Sequence, residues 1–212
     1  MPEDKRTPAA FSPVTPKNWP KDRLYLRAPY YSKSLSNEAS TAIIVKREDV
    51  PSKEIVRKPA APYKQVSITE ISSPSHPANG QHALLAAQHI PADSFILPYL
   101  GFVHHGLNEN SDHEISLDRD VDVAVDASKI GNEARFINDY RGIAERPNAE
   151  FRDIFFDLQD GTVGKAIGVF VLSAGKSGKR AKGIGKGQEI LVSYGKGFWA
   201  ARKQSTDAQT GP

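Results

Sequence analysis

Cysteine is absent from the 212 residues, which excludes a disulfide framework, a thiolate-held zinc site and a cysteine nucleophile together. Long apolar runs are also missing, and none approaches the ~20 residues that a bilayer-crossing helix needs. The opening Met1-Pro-Glu-Asp-Lys-Arg lacks the apolar core of a secretion signal, so the chain is expected inside the cell, with no membrane partner. Charge of one sign is scarce as well. Lysine and arginine number 28 against 25 acids, a formal net charge of +3, too mild to imply nucleic-acid binding without a concentrated patch. Amphipathic helical patterns are few, and residues 127–138 carry the best one. No internal repeat is visible.

What remains is a proline-punctuated chain with many short apolar stretches. Hydrophobic residues make up 39%, enough for one domain of ordinary size to bury a core. Residues 1–62 hold Pro13, Pro16, Pro20, Pro29, Pro51, Pro59 and Pro62, and each proline removes a donor and fixes its own φ. Trp19, Leu24, Tyr25, Leu26, Tyr30 and Tyr31 make this stretch too apolar for a plain linker. It reads as an irregular extension that packs partly onto the main domain, with a strand over Ala42 to Lys46 and a disordered start. From Tyr63 the texture changes. Val66 to Ile71, Ala83 to Ala87, Phe95 to Tyr99, Ile115 to Leu117, Val121 to Val125, Phe151 to Leu158, Ile167 to Leu172 and Glu189 to Tyr194 read as short strands between Gly, Pro, Asn and Asp turns. A mainly β domain of several small sheets is predicted over 63–199, followed by a tail over 200–212.

Two familiar patterns fail on inspection. Asp118, Asp120 and Asp122 open like a calcium-binding EF-hand loop, but Val123 and Lys129 stand where glycine and glutamate are required. Gly175-Lys176-Ser177 ends like a phosphate-binding P-loop, but Phe170 occupies the position of its first glycine. Lys176, Lys179, Arg180, Lys182 and Lys186 follow with no acid among them. That basic loop reads as a solvated hairpin tip, a nuclear localisation patch or a phosphate contact. No metal site is expected.

Two segments carry more chemistry. One is Gly131-Asn-Glu-Ala-Arg135-Phe136-Ile-Asn138-Asp139, followed by Pro147-Asn148-Ala-Glu-Phe151; the other is Gly187-Gln-Glu189-Ile-Leu-Val192-Ser-Tyr194-Gly195. In order and spacing they resemble the C-terminal signatures of the SET-domain protein lysine methyltransferases, Arg-Phe-x-Asn-His and Gly-x-Glu-Leu-x-x-x-Tyr. Ile90-Pro91, Phe95 and Tyr99-Leu100-Gly101 resemble the same family's strand pair ending in Tyr-x-Gly. The likeness runs from about residue 64 to 199.

The resemblance implies a SET-domain β-clip of small sheets, with the segment around Tyr194 threading past the loop near Asn138 in a knot-like core. It also implies S-adenosylmethionine as cofactor, with cofactor and lysine entering from opposite faces. Tyr194 would be the catalytic tyrosine, and Tyr99 a channel-lining one. Asn138 would hydrogen-bond the cofactor's amino-acid end, and Asp139, standing where the family carries histidine, would sit beside it. The glycine-rich cofactor segment corresponds to Gly80, Gln81 and His82, with only the first a glycine. Phe198 and Trp199 are placed to close the cofactor pocket in the absence of zinc-binding flanks. Phe151 and Val192 would line the substrate channel, and their lack of hydroxyls leans toward di- or trimethylation. Arg135 and Phe136 would brace the loop, with Asn132 a turn residue.

Seven acids lie between Glu109 and Asp126, against Arg119 alone. They form either a rim that attracts a lysine-rich protein, such as a histone or a ribosomal protein, or a solvated strand edge. The nucleus is expected ahead of the cytoplasm. A catalytically silent SET-like module that binds a protein or chromatin partner remains the alternative, and nucleic-acid binding through the basic loop a third.

Overall fold

Short apolar stretches between turn residues fold as short strands, and the architecture is mainly β in several small sheets, as expected. The computed structural model describes residues 10–56, 61–107, 111–175, 182–195 and 199. The largest sheet orders Ile44–Lys46, Thr162–Val171, Ala149–Asp157 and Ile55–Val56, with Phe95–Tyr99 also pairing Thr162–Val171. Its spine is an antiparallel hairpin in unbroken register, from Ala149 opposite Val171 to Asp157 opposite Val163. The hairpin turn is set by Asp160, whose carboxylate accepts the Thr162 N–H at 2.9 Å. Alternation then divides the side chains between two faces. Ile154 and Phe156 bury with Ala166 in one cluster, whereas Phe151 packs against the main core.

A second sheet runs Tyr30–Tyr31, Phe102–His105, Val123–Asp126, Glu114–Asp118. Gly101 shows why the Tyr-x-Gly segment needs its glycine: a Cβ there would lie 2.5 Å from the Asp126 carbonyl oxygen. Val66–Glu70 and His82–Ala86 form a separate antiparallel pair. Two further pairs are parallel, Leu24–Tyr25 with Ile130–Gly131 and Asn138–Asp139 with Leu191–Val192.

Two expectations require correction. Residues 127–138 do not form a helix; they hold a strand at Ile130–Gly131 and a 3-10 turn at Glu133–Phe136. Polar side chains redirect the backbone there. Asn132 is fully buried, accepting the Leu100 N–H at 3.1 Å and donating to the Pro98 carbonyl at 2.8 Å. Glu133, also buried, accepts from the Tyr25 hydroxyl and from the Tyr63 N–H, each at 2.9 Å. Such long-range bonds outweigh a weak local helical preference.

The stretch before residue 62 is also far less irregular than its prolines suggest. It contributes the helix Asn37–Ile43, capped by the Ser36 side chain on the Ala39 N–H, and strands to three sheets. The expected disordered start and the tail from 200 lie outside the described residues.

Candidate active site

The two C-terminal signature segments are brought side by side. Asn138 pairs with Leu191 and Asp139 with Val192 in parallel register, and the Tyr140 N–H donates to the Val192 carbonyl at 3.0 Å. Asn148 explains the Pro-Asn turn. Its side chain accepts the Leu191 N–H at 2.8 Å and donates to the Glu189 carbonyl at 2.7 Å, sewing the final strand to the chain some forty residues earlier.

Beside this junction lies a cavity of about 540 Å³. Gly80, Gln81, His82, Asn138, Asp139, Tyr194 and Trp199 all line it. They come from three stretches that the sequence holds far apart. Phe198 lies outside the described residues. Tyr99, Phe151 and Val192 do not reach the cavity wall. Val192 is fully buried in the main core. Tyr99 and Phe151 meet edge to face, with ring centroids 5.9 Å apart. The Tyr99 hydroxyl donates to the His113 carbonyl at 2.7 Å, and His113 is itself part of the wall. Tyr99 is therefore one residue behind the cavity.

Tyr194 is held from both ends. Its N–H donates to Asp139 Oδ2 at 2.8 Å, and its hydroxyl donates to the Ile137 carbonyl at 2.6 Å. Burial, reinforced by the negative charges of Asp139 and Glu189, pushes the phenol well above its ordinary pKa. It is a neutral hydroxyl of fixed orientation rather than a base. Burial acts likewise on Tyr99.

Asp139 is the hub of this corner. Besides the Tyr194 N–H, it accepts from the Arg141 N–H at 2.9 Å, the Arg141 guanidinium at 2.8 Å and the Trp199 indole at 3.2 Å. Burial alone would raise its pKa, but these donors outweigh it and hold the carboxyl below its ordinary value. Asp139 thus fastens Tyr194 and Trp199 to one strand. Arg141 also lies over the Tyr140 and Trp199 rings, at 5.1 and 5.6 Å.

Asn138 donates from Nδ2 to Glu189 Oε1 at 2.8 Å and to the His82 carbonyl at 3.3 Å. Gly80 has φ +81°, which glycine adopts freely, and its N–H donates to the Ile71 carbonyl at 2.8 Å to close the loop. Arg135 braces the adjoining segment by donating to the Ala127 and Ser128 carbonyls at 2.9 and 3.3 Å.

Sequence reasoning missed part of the wall. Pro20, Asp22 and Arg23 come from the N-terminal stretch, and Pro77, His113, Arg141 and Ile143 also contribute. Trp19 anchors the first group, meeting Tyr25 and Phe136 edge on at 5.0 and 5.7 Å. The cluster of aromatics at 19–31 was the available signal. His113 is pushed down to about 4 by burial and by the nearby Arg135 guanidinium, so its ring is neutral at pH 7.

Half of the described acids in the acidic stretch are engaged inside the fold. Asp118 pairs with Lys165 at 3.0 Å, Glu114 lies 2.8 Å from His104, and Asp126 accepts from Ser111 and Ser128. Asp112, Asp120 and Asp122 stay exposed, and Glu109 lies outside the described residues. Of the basic loop, Lys182 and Lys186 are exposed and Lys176, Lys179 and Arg180 lie outside the described residues. Among the described residues no cluster of potential metal ligands occurs, and no helix is long and apolar enough to cross a membrane.

No protein-family model and no curated protein matches the chain. Among solved structures, it is similar to a ctPRC2 "in an autoinhibited conformation bound to S-adenosylmethionine", at 22% identity over 69% of this chain and 17% of that chain, with a TM-score of 0.46. The crystal structure of the Chaetomium thermophilum polycomb repressive complex 2 shows 21% identity over 63% of this chain and 15% of that chain, with a TM-score of 0.46. The chain thus spans less than a fifth of the length of the solved chains it resembles.

Proposed function

We propose that the protein is an S-adenosylmethionine-dependent protein-lysine N-methyltransferase of the SET type, acting in the nucleus on a basic protein such as a histone or a ribosomal protein. One observation carries this reading. Residues picked from separate motifs, Gly80 to His82, Asn138, Asp139, Tyr194 and Trp199, converge on one cavity.

The lining suits the cofactor. It offers an amide at Asn138, aromatic surface at Phe136, His82 and Trp199, and backbone at Gly80 where nothing lies within 4 Å of a would-be Cβ. Bound there, S-adenosylmethionine would supply an electrophilic methyl group on a sulfonium. The chain's own residues would do the rest. Asn138 would hold the amino-acid end, while Trp199, fastened through Asp139, would cover an adjacent face. Methyl transfer to an amine is an in-line displacement, so alignment provides much of its rate. Tyr194, a neutral phenol pinned between Ile137 and Asp139, is suited to fix that alignment. Tyr99 and Phe151, packed edge to face behind the cavity, would border the lysine. An apolar surround there disfavours the ammonium and so promotes the neutral amine that reacts.

Asp112, Asp120 and Asp122 would still favour a cationic substrate, though Asp118 is paired internally with Lys165. Incubation with methyl-labelled S-adenosylmethionine and a nuclear extract tests the proposal. A labelled lysine in a basic protein supports it. Calorimetry with the cofactor showing no saturable heat refutes it and leaves a silent binding module.

A further inference from the structure

His76 belongs to none of the motifs, yet its ring sits between the cavity's loop wall and its amide. The Ala78 N–H donates to His76 Nδ1 at 3.0 Å. That bond requires an unprotonated Nδ1, so the neutral ring carries its proton on Nε2. His76 Nε2 lies 3.1 Å from Glu189 Oε2 and donates to it. The other oxygen, Glu189 Oε1, accepts from Asn138 Nδ2 at 2.8 Å. Both His76 and Glu189 have side chains only 13–14% exposed, which shields the bonds from competing water. The chain is therefore Ala78 N–H, imidazole, carboxylate, carboxamide.

Each end of this chain bears on the cavity. Ala78 lines it, together with Pro77 and Gly80 of the same loop, and Asn138 lines it from the opposite strand. Besides a contact of the Ser73 and Ser75 hydroxyls at 3.0 Å, the loop is closed by backbone bonds, among them His76 N–H to the Ser73 carbonyl at 3.1 Å, Asn79 N–H to the His76 carbonyl at 3.0 Å and Gly80 N–H to the Ile71 carbonyl. It contains a single glycine where the resembling family has two. Asn138 has a second acceptor only at 3.3 Å, on the His82 carbonyl. Glu189 is thus its principal orienting partner, and Glu189 takes its own orientation from the imidazole.

We propose that His76 is a positioning residue, which through Glu189 fixes the Asn138 carboxamide and through Ala78 fixes the loop that faces it. This inference rests on the methyltransferase reading for the identity of the ligand, and on the hydrogen bonds alone for the positioning. It assigns a graded role to the two ring nitrogens. Asparagine at position 76 reproduces an acceptor near the Nδ1 position and loses the bond to Glu189. Glutamine reaches the Nε2 position and can still donate to Glu189.

The test uses the full chain and two readouts. Calorimetry with S-adenosylmethionine should show His76→Ala and His76→Asn binding about tenfold more weakly, the scale of one hydrogen bond to a charged group, with His76→Gln within about threefold of the unmodified protein. Turnover at saturating cofactor should change little in all three. Solvent exchange of the Asn138 side-chain amide protons, followed by NMR without cofactor, should quicken in His76→Ala and His76→Asn but not in His76→Gln. Unchanged exchange in His76→Ala overturns the positioning role whatever the ligand. Equal losses in Gln and Asn variants overturn it too, by showing a merely structural residue. An unmodified protein with no saturable heat instead overturns the methyltransferase reading, while exchange still decides the positioning.

Discussion

Replacing Asn132 by alanine should destabilise the protein far more than a turn residue would. The side chain is fully buried and makes both of its bonds to a neighbouring strand, accepting from the Leu100 N–H and donating to the Pro98 carbonyl. Leu100 is itself 1% exposed, so water cannot replace the lost acceptor. An orphaned buried donor or acceptor costs about 1–3 kcal/mol. Two of them, with a small cavity in addition, give about 3 kcal/mol as a working figure. For a chain of this length, each kcal/mol moves Tm by about 2–4 °C, so a fall of roughly 6–12 °C is expected. Urea unfolding should show a lower midpoint with an unchanged slope. Asn132→Asp should be at least as damaging, because it opposes an acceptor to the Pro98 carbonyl. A Tm within about 2 °C of the unmodified protein in Asn132→Ala would refute the reasoning, since the arithmetic of two orphaned groups leaves no room for it. The consequence extends to the site, because the strand so anchored carries Tyr99 and the turn leads directly to Asn138.

Other expectations concern the site itself. Tyr194→Phe should abolish methyl transfer while cofactor affinity, measured by calorimetry, stays within about threefold; the variant loses the hydroxyl's bond to the Ile137 carbonyl, worth about 1 kcal/mol. Full activity in that variant would show that the role belongs to another residue. Asn138→Ala should weaken cofactor binding about tenfold or more, with the fold retained by circular dichroism. Asp139 has a carboxyl held below its ordinary pKa, so its stabilisation is present above the unfolded-state value and disappears as pH falls through the folded one. Asp139→Asn should therefore lower the unfolding midpoint at pH 7 and converge with the unmodified protein at strongly acidic pH. Parallel pH curves would contradict that linkage.

Much of the fold could be read from alternation. The hairpin Ala149–Asp157 with Thr162–Val171 follows from its apolar periodicity and the Gln159 to Gly161 turn, and Val123–Asp126 from its valines. What escaped the sequence was set by contacts between distant residues. The 127–138 segment has helical composition, yet Asn132 and Glu133 find partners thirty or more residues away, at Leu100, Tyr63 and Tyr25. Leu24–Tyr25, Tyr30–Tyr31 and Ile55–Val56 pair in parallel with segments far downstream, a geometry that leaves no local turn signal. For the site, glycine, asparagine and tyrosine could be chosen because their spacing resembles a family. Arg23 and His113, which only folding brings to the cavity, could not, and neither could His76, which folding sets against Glu189, because nothing in their neighbours' sequence marks them. Tyr99, expected beside Tyr194, and Phe151, expected beside Val192, instead meet each other edge to face one layer behind the wall.

The parallel seam between Asn138–Asp139 and Leu191–Val192 has a consequence for when the binding site comes into existence. Residues near 20, 80, 140 and 195 must all be in place before the cavity has walls, so a nascent chain has no binding capacity until its last strand has been laid in. Because a ligand there would touch both early and late parts of the polypeptide, it would favour the assembled state by mass action, and unfolding midpoints should climb with its concentration as though a clasp had been closed across the two ends.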